Sequence, residues 1–268
     1  MPETHIYILC DMEGITNAVS YERDVFPDAP NYEQARQWLT DDLKAAMAGA
    51  REAGADGFTL YDMHFHGTNV FSEQLDPPFT LIEGKPEEGQ MREGMAGLFL
   101  VGFHAMAGNE RGVLPHTYNH PIRRIELNGL PVGEIGLEAA GAGSYGIPLG
   151  LVVGDREGCE EAKALLGDVE TADVKWLDDR GEVALRSPDD ARRAIREAAA
   201  RAVARANELE PFHVPGPCEL RIRCEDTTFR DGLLAQCGGE RVGDDTLILR
   251  GPDARSVHSL FRKSQARQ

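Results

Sequence analysis

Two carboxylates stand at the end of the first apolar run of the chain. Residues 6–10 read Ile-Tyr-Ile-Leu-Cys, and Asp11-Met12-Glu13-Gly14 follows directly. Because side chains alternate along a strand, Asp11 and Glu13 are expected to point to the same side. Two like charges held this close repel unless a cation lies between them, which makes the turn a candidate metal site. The alternative for an isolated Asp-x-Glu is a strand that ends in a solvated acidic turn.

Two later apolar runs also end in potential metal ligands. Residues 58–61 lead into an Asp-x-His segment that contains His64, and residues 98–103 lead directly into His104. In open parallel sheets, sites form beyond the carboxyl ends of the strands. That rule brings both histidines beside the two carboxylates of the first turn. The metal site is then favoured over the solvated turn.

Neighbouring residues compete for these roles or support them. His66 lies two residues after His64 and shares its side of the strand, and His64 is favoured of the two. Asp62 is expected to orient an imidazole through its far nitrogen. Glu134 lies in a Gly-Glu-Ile-Gly segment. Considered by itself, this segment is equally compatible with a metal ligand and with a surface turn.

The elements that must position these residues predict an α/β protein. A helix that starts after Asn31 and stops at Gly54 lies between the first two strands, which is a parallel βαβ unit. The expected fold is a mainly parallel sheet flanked by helices, with the metal site beyond the strand carboxyl ends and a smaller C-terminal α+β portion. The other expected elements are a hairpin at 128–129, helices over 137–144, 157–166 and 192–209, and strands over 149–153 and 172–176.

A cluster of prolines at positions 211, 215 and 217 predicts a boundary. Residues 1–210 are expected to form the catalytic α/β domain, and residues 211–268 a strand-strand-helix subdomain packed on it. Residues 141–146 match G-x-G-x-x-G, but they lie at the end of a helix and before a strand, the wrong order for a dinucleotide fingerprint. These small residues are instead expected to permit close helix packing.

Composition limits the class of protein. The chain has 268 residues, of which 41% are hydrophobic and only 7% aromatic, which fits an ordinary α/β protein without a membrane span. The net charge of −17 counts against nucleic acid and anionic membranes as partners. Five cysteines without a C-x-x-C pair argue against a disulfide framework and a cysteine zinc site. No signal peptide is visible, so a cytoplasmic location is expected.

Five short motifs occur in order along the chain: Asp11-Met12-Glu13-Gly14, Asp62-x-His64, Gly102-Phe103-His104-Ala105, Gly112-Val113-x-x-His116, and Pro131-Val132-Gly133-Glu134-Ile135-Gly136-Leu137. Together they span essentially the whole chain. In order and spacing they resemble the zinc D-aminopeptidases that are encoded with bacterial dipeptide transport systems.

The resemblance implies a metal centre with two zinc ions per chain. Asp11 would bridge both ions, Glu13 and His104 would complete one site, and His64 and Glu134 would complete the other. Three carboxylates and two imidazoles are donors that suit zinc and are acceptable for manganese or cobalt. With one carboxylate shared, each ion keeps an open position for water.

The resemblance also implies an activity and an assembly. His116, which only the family pattern separates from His120, would be the catalytic residue. The family releases the N-terminal residue from short peptides that contain D-amino acids. Its members are ring-stacked homo-oligomers, decameric in the best-known case. A short peptide and further copies of the chain are therefore the expected partners.

Three residues near the motifs depart from the usual family pattern. Leu9 replaces a small polar residue, Tyr61 replaces an asparagine, and Glu138 replaces another asparagine. These changes leave the implied ligands in place and bear on substrate preference. Glu138 is a candidate to hold the ammonium of the substrate, against the alternative of an exposed helix glutamate.

Two other function classes remain open at this point. A metal-dependent amidase or phosphohydrolase could use the same scaffold. A phosphate substrate would require basic groups at the site, and Arg111 and Lys175 are the candidates. A non-enzymatic metal-binding protein would not need His116.

Overall fold

The structure is a computed structural model that describes residues 4–82, 84 and 91–265. Its strands are β1 His5–Cys10, β2 Gly57–Asp62, β3 Thr80–Ile82, β4 Gly97–Phe103, β5 Ile122–Leu127, β6 Leu130–Pro131, β7 Leu149–Asp155, β8 Glu170–Leu177, β9 Val183–Leu185, β10 Cys218–Cys224, β11 Glu240–Val242 and β12 Thr246–Gly251. Its α-helices are α1 Tyr32–Glu52, α2 Glu134–Gly143, α3 Arg156–Leu166, α4 Pro188–Ala204, α5 Thr227–Cys237 and α6 Ala254–Gln265.

A seven-stranded sheet, sheet A, is formed by strands that lie between residues 5 and 185. Its order is β3-β2-β1-β4-β7-β8-β9, and every neighbouring pair is parallel except β8 with β9. Helix α1 connects β1 to β2, so the predicted βαβ unit is confirmed. The carboxyl ends of β1, β2 and β4 therefore lie side by side at one edge.

Helices cover both faces of sheet A. The side chains of Ile6, Ile8 and Cys10 pack in the cluster that includes α1 and α4, whereas Tyr7 and Leu9 pack on the opposite face with α2 and α3. A strand buried on both sides must be apolar at successive positions, which explains the uninterrupted run in the sequence. This arrangement confirms the predicted α/β class.

A second, antiparallel sheet, sheet B, has the order β11-β12-β10-β5-β6. Its inner face packs on side chains of α2, α5 and α6. Strands β5 and β6 precede residue 210 and β10 follows it, so the sheet joins segments from both sides of the predicted domain boundary. The division at residue 210 stays a prediction.

Helix α2 lies between the two sheets and is buried around its whole circumference. Ile135 and Ala139 pack with the core of sheet A, and Leu137 and Ala140 pack with that of sheet B. A Cβ on Gly141 would lie 2.9 Å from the ring of His258. The small residues of the G-x-G-x-x-G match therefore allow close packing, as predicted.

Several elements differ from their predicted limits. Helix α4 ends at Ala204, because the chain turns through hydrogen bonds from Ala206 N to Val203 O and from Glu208 N to Arg205 O. The strand-strand-helix portion predicted over residues 211–268 contains a further helix, α5, between its strands. None of the described helices is both long enough and apolar enough to cross a bilayer.

Candidate metal centre

The structure brings together all five side chains that the sequence offers as metal ligands. Asp11 and Glu13 follow β1, His64 follows β2, His104 follows β4, and Glu134 is the first residue of α2. None of the five is more than 4% exposed. Glu134 is thus a buried residue at a helix N-terminus, where the helix dipole favours a negative charge, and not part of a surface turn.

Two glycines allow the ends of β1 and β4 to approach this closely. A Cβ on Gly14 would overlap the carbonyl oxygen of Phe103, and a Cβ on Gly102 would overlap the carbonyl oxygen of Asp11. Gly102 also has a φ of +83°, a conformation that other residues rarely adopt. Hydrogen bonds from Asp11 N to Val101 O, 2.9 Å, and from Gly14 N to Gly102 O, 2.7 Å, join the two segments. The glycines of these motifs therefore place the acidic turn beside His104.

The donor atoms form two groups that share the carboxylate of Asp11. His64 Nδ1 lies 3.0 Å from Asp11 Oδ1 and 3.1 Å from Glu13 Oε2. His104 Nε2 lies 3.4 Å from Asp11 Oδ2 and 3.5 Å from Glu134 Oε1. One oxygen of Asp11 thus faces each group, as a bridging carboxylate requires.

Glu13 also lies near the second group. Its carboxylate belongs to a further set of potential ligand atoms with His104 and His116, all within 4.8 Å of one another. Glu13 is therefore within reach of either ion. The division of the ligands between the two ions that the resemblance implies stays a prediction.

Both candidate ligand histidines are held by their far nitrogen. His64 Nε2 lies 2.8 Å from the carbonyl oxygen of Val25, and His104 Nδ1 lies 3.1 Å from that of Ala105. A carbonyl oxygen can only accept, so these nitrogens donate. In the neutral rings the lone pairs are then on His64 Nδ1 and His104 Nε2, which face the carboxylates. Both imidazoles are fixed in the tautomer that a metal needs.

Asp62 has a different role from the one expected. Its carboxylate accepts hydrogen bonds from the backbone nitrogens of His64, 3.1 Å, and Asn69, 2.6 Å, and from Asn69 Nδ2, 3.0 Å. The expectation that Asp62 orients an imidazole through its far nitrogen is wrong, because Val25 holds the far nitrogen of His64. Asp62 instead fixes the backbone of the loop that contains the candidate ligand His64.

The electrostatics of the centre favour a cation. Burial alone would lower the pKa of both ligand imidazoles, but Glu13 and Asp11 beside His64, and Glu134 and Asp11 beside His104, raise each pKa well above its usual value. Glu13 Oε2 and His104 Nε2 are buried and make no hydrogen bond with any described residue. Unpartnered buried donors and acceptors are costly, and a divalent cation would satisfy both. The residues present therefore fit zinc.

His116 stands at the side of the ligand group. Its ring stacks on that of His104, with centroids 4.2 Å apart and planes at 9°. Nδ1 lies 3.3 Å from the carbonyl oxygen of Leu114 and 3.4 Å from the hydroxyl of Tyr21, and Nε2 lies 3.9 Å from Glu134 Oε1. His116 is buried, whereas its competitor His120 is exposed.

A buried lysine and a buried aspartate hold the loops of the centre. Lys175 of β8 donates hydrogen bonds from Nζ to the carbonyl oxygens of Glu13, Ile15 and Ala18. Asp155, which ends β7, accepts from Ala105 N at 3.0 Å. Sequence reasoning missed both roles, because these partners are 50 or more residues away in the chain and no local pattern marks them.

A cavity of about 330 Å³ opens beside the centre. Its walls include the aromatic residues Phe26, Phe65, His66 and His120, and they also include Arg262. Phe26 lies in the segment between β1 and α1. The volume suits a small molecule.

Glu138 does not have either role considered from the sequence. It is 1% exposed and is not among the residues that line the cavity. Its oxygens face Tyr118 Oη at 2.8 Å, His258 Nε2 at 3.1 Å and Arg262 NH1 at 3.5 Å. It is neither an exposed helix residue nor available to the ammonium of a substrate.

The two basic residues considered for a phosphate substrate do not line this cavity. The side chain of Arg111 is 78% exposed and pairs with Glu157. Lys175 is completely buried against backbone carbonyls. Neither provides a phosphate site.

Comparison with known proteins agrees with the motifs. A family model described as D-aminopeptidase matches residues 4–263. The D-aminopeptidase of Bacillus subtilis (strain 168) is 33% identical over an alignment of 223 residues that covers 81% of this chain and 80% of that protein. The solved structure described as Zn-dependent D-aminopeptidase DppA from Bacillus subtilis, a self-compartmentalizing protease, matches with a TM-score of 0.88 and 28% identity over 98% of each chain.

Proposed function

Because this chain belongs to the D-aminopeptidase family, we propose that it is a two-zinc aminopeptidase that releases the N-terminal residue, a D-amino acid, from short peptides. Asp11 is the shared ligand in this proposal, and Glu13, His64, His104 and Glu134 complete the two sites. The family membership supports the reaction class, and the geometry of the centre supports the ligands.

The orientation of the two histidines is the main observation that supports the proposed metal site. The far nitrogens of both ligand histidines donate to backbone carbonyls, so their free nitrogens face three buried carboxylates. A purely structural histidine has no need for such an arrangement, whereas a metal ligand does. The buried, unpartnered atoms of Glu13 and His104 point to the same conclusion.

His116 is the residue proposed to move the proton. When bound at the centre, zinc polarises a peptide carbonyl and lowers the pKa of water to about 7. His116 donates from Nδ1 to Leu114 O, which leaves Nε2 as the accepting nitrogen on the side of Glu134. Nε2 takes the proton of the attacking water and gives it to the amine that leaves when the peptide bond breaks.

The proposal also covers the assembly and the location of the protein. The solved relative is described as self-compartmentalizing, and we infer that this chain also forms a homo-oligomer larger than a dimer, such as a decamer. All five cysteines are free thiols, which suits a reducing compartment such as the cytoplasm. Light scattering tests the assembly, and a mass near the 29.4 kDa of one chain at micromolar concentration would contradict it.

Metal analysis of two variants tests the ligand assignment. The wild type should bind about two zinc ions per chain. Asp11→Ala should lose both ions because it removes the shared ligand, whereas His64→Ala should lose mainly one. A full metal complement in Asp11→Ala would refute the assignment.

A small panel of dipeptides tests the reaction. D-Ala-D-Ala, L-Ala-L-Ala and the N-acetylated form of each should be compared with the zinc-loaded protein. Only the free D pair should be hydrolysed rapidly. Equal rates on free and acetylated peptides would exclude aminopeptidase chemistry, and preference for the L pair would exclude the D-specificity.

A further inference from the structure

Arg262, on the C-terminal helix α6, reaches the cavity of the metal centre. Among the described residues that line this cavity, it is the only lysine or arginine. Its side chain is 9% exposed, so it is held inside the protein and is not a freely moving surface group. It lies about 250 residues from Asp11 in the chain and has no place in the motifs of the family resemblance.

The contacts of Arg262 fix its position without using all of its donors. NH2 donates to Tyr61 Oη at 2.9 Å, and NH1 lies 3.5 Å from Glu138 Oε1. The guanidinium also lies over the ring of Tyr61, 5.3 Å from its centroid. A guanidinium has five N–H groups. Those not used by these two bonds have no hydrogen-bond partner among the described residues.

Glu138 anchors Arg262 but also has other partners. Its second oxygen faces His258 Nε2 at 3.1 Å, and its first accepts from the hydroxyl of Tyr118 at 2.8 Å. One buried carboxylate is therefore shared between two basic side chains. The guanidinium retains the capacity to bind a further anion that enters the cavity.

Tyr118 connects this pair to the metal centre. Its backbone nitrogen donates to Glu134 Oε1 at 2.6 Å, and its hydroxyl donates to Glu138. A single residue thus spans the distance between a metal ligand and the carboxylate that holds Arg262. The basic group and the centre therefore line the same cavity and are linked through one residue.

The chemistry of a short peptide matches this arrangement. At neutral pH such a peptide carries a carboxylate at its C-terminus, and the proposed reaction places the first peptide bond, not this end, at the centre. A guanidinium fork binds a carboxylate through two parallel hydrogen bonds. A cavity of about 330 Å³ also limits the ligand to a small molecule.

We propose that Arg262 binds the C-terminal carboxylate of the peptide substrate, so that the protein selects short peptides with a free C-terminus over their C-terminal amides. This inference rests on the proposed aminopeptidase function. Arg262 is a substrate-binding residue in this account, and Glu138 and Tyr61 are the residues that position it.

The test compares kcat/KM for D-Ala-D-Ala and for the same dipeptide with a C-terminal amide. The wild type should prefer the free acid by about 10–100-fold, the range expected for a hydrogen-bonded charge pair. Arg262→Gln should lose this preference, mainly through a higher KM for the free acid, while the amide is hydrolysed with little change. Arg262→Lys, which keeps the charge without the fork, should retain part of the preference.

His258→Gln is the matched control. It removes the other basic partner of Glu138, but His258 does not line the cavity. It should keep the preference for the free acid. If it loses the preference as fully as Arg262→Gln does, the effect acts through Glu138 and the proposal is overturned.

The remaining outcomes separate this inference from the proposed function. Equal efficiency of the wild type on the acid and the amide overturns the role of Arg262 and leaves the aminopeptidase proposal standing. This result does not depend on whether any variant folds. Hydrolysis of neither dipeptide overturns both proposals. An equal loss of activity of Arg262→Gln on both substrates would show a structural role only.

Discussion

Glu138→Gln should lower the stability of the protein substantially, because it leaves two basic side chains without their shared carboxylate. Burial alone would raise the pKa of Glu138, but His258 and Arg262 outweigh it and lower the pKa from 4.5 to about 2. At 1.36 kcal/mol for each unit of pKa, this decrease in the pKa corresponds to about 3 kcal/mol of stability at neutral pH. Loss of one partner from a buried ion pair has a similar cost.

The pH dependence of this effect has a defined sign. A carboxylate whose pKa is lower in the folded state stabilises the fold above its unfolded pKa, and the contribution is lost as the pH falls through the folded pKa. The difference between the wild type and Glu138→Gln should therefore be complete at pH 7. It should narrow below pH 4.5, to about 1 kcal/mol at pH 3.

Thermal unfolding with a chelator present measures this difference without a contribution from metal release. For a chain of this size, about 3 kcal/mol corresponds to a decrease in Tm of about 6–12 °C. Glu33→Gln is the control, because Glu33 is 75% exposed and its pair with Arg36 should contribute less than about 1 kcal/mol. The reasoning is refuted if Glu138→Gln is as stable as Glu33→Gln, or if acid leaves the gap unchanged.

Three further substitutions test the centre and its supports. His116→Ala should keep its zinc in a metal analysis, while turnover in a dipeptide assay falls by about 10²–10⁴-fold. Normal turnover or loss of zinc would contradict the proton-transfer role. Lys175→Met should weaken zinc binding by about 10–100-fold in a chelator competition, because the loop that contains Glu13 loses the ammonium group that holds its carbonyl oxygens. Lys163→Met is the control and should not weaken zinc binding, because Lys163 is exposed. Gly102→Ala should destabilise the fold more than Gly108→Ala, since both have positive φ but only Gly102 lacks space for a Cβ; equal unfolding midpoints would contradict this.

The sequence was most informative where local pattern and sheet geometry agree. The apolar runs before Asp11, His64 and His104 predicted parallel strands, and the rule for their carboxyl ends brought the three residues together. Glu134 required the family resemblance, because a single acid between glycines has no distinctive local pattern. The structure then places it at the first turn of α2, beside His104.

The roles that the sequence did not predict depend on packing between distant parts of the chain. Arg262 reaches the cavity only because α6 packs on α2, and Glu138 is buried only because the same packing covers it. Helix α5 was missed because Thr227, Thr228 and Gly232 are poor helix formers. Its formation depends on the cap from Asp226 and on the packing of Leu233 in the core of sheet B.

Zinc titration of the metal-depleted protein shows whether hydrolysis requires both ions. Hydrolysis of D-Ala-D-Ala would be followed as zinc is added to protein from which all metal has been removed. We expect no hydrolysis without metal and full activity at about two zinc ions per chain. Undiminished hydrolysis by the metal-free protein, or full activity at one ion per chain, would contradict it.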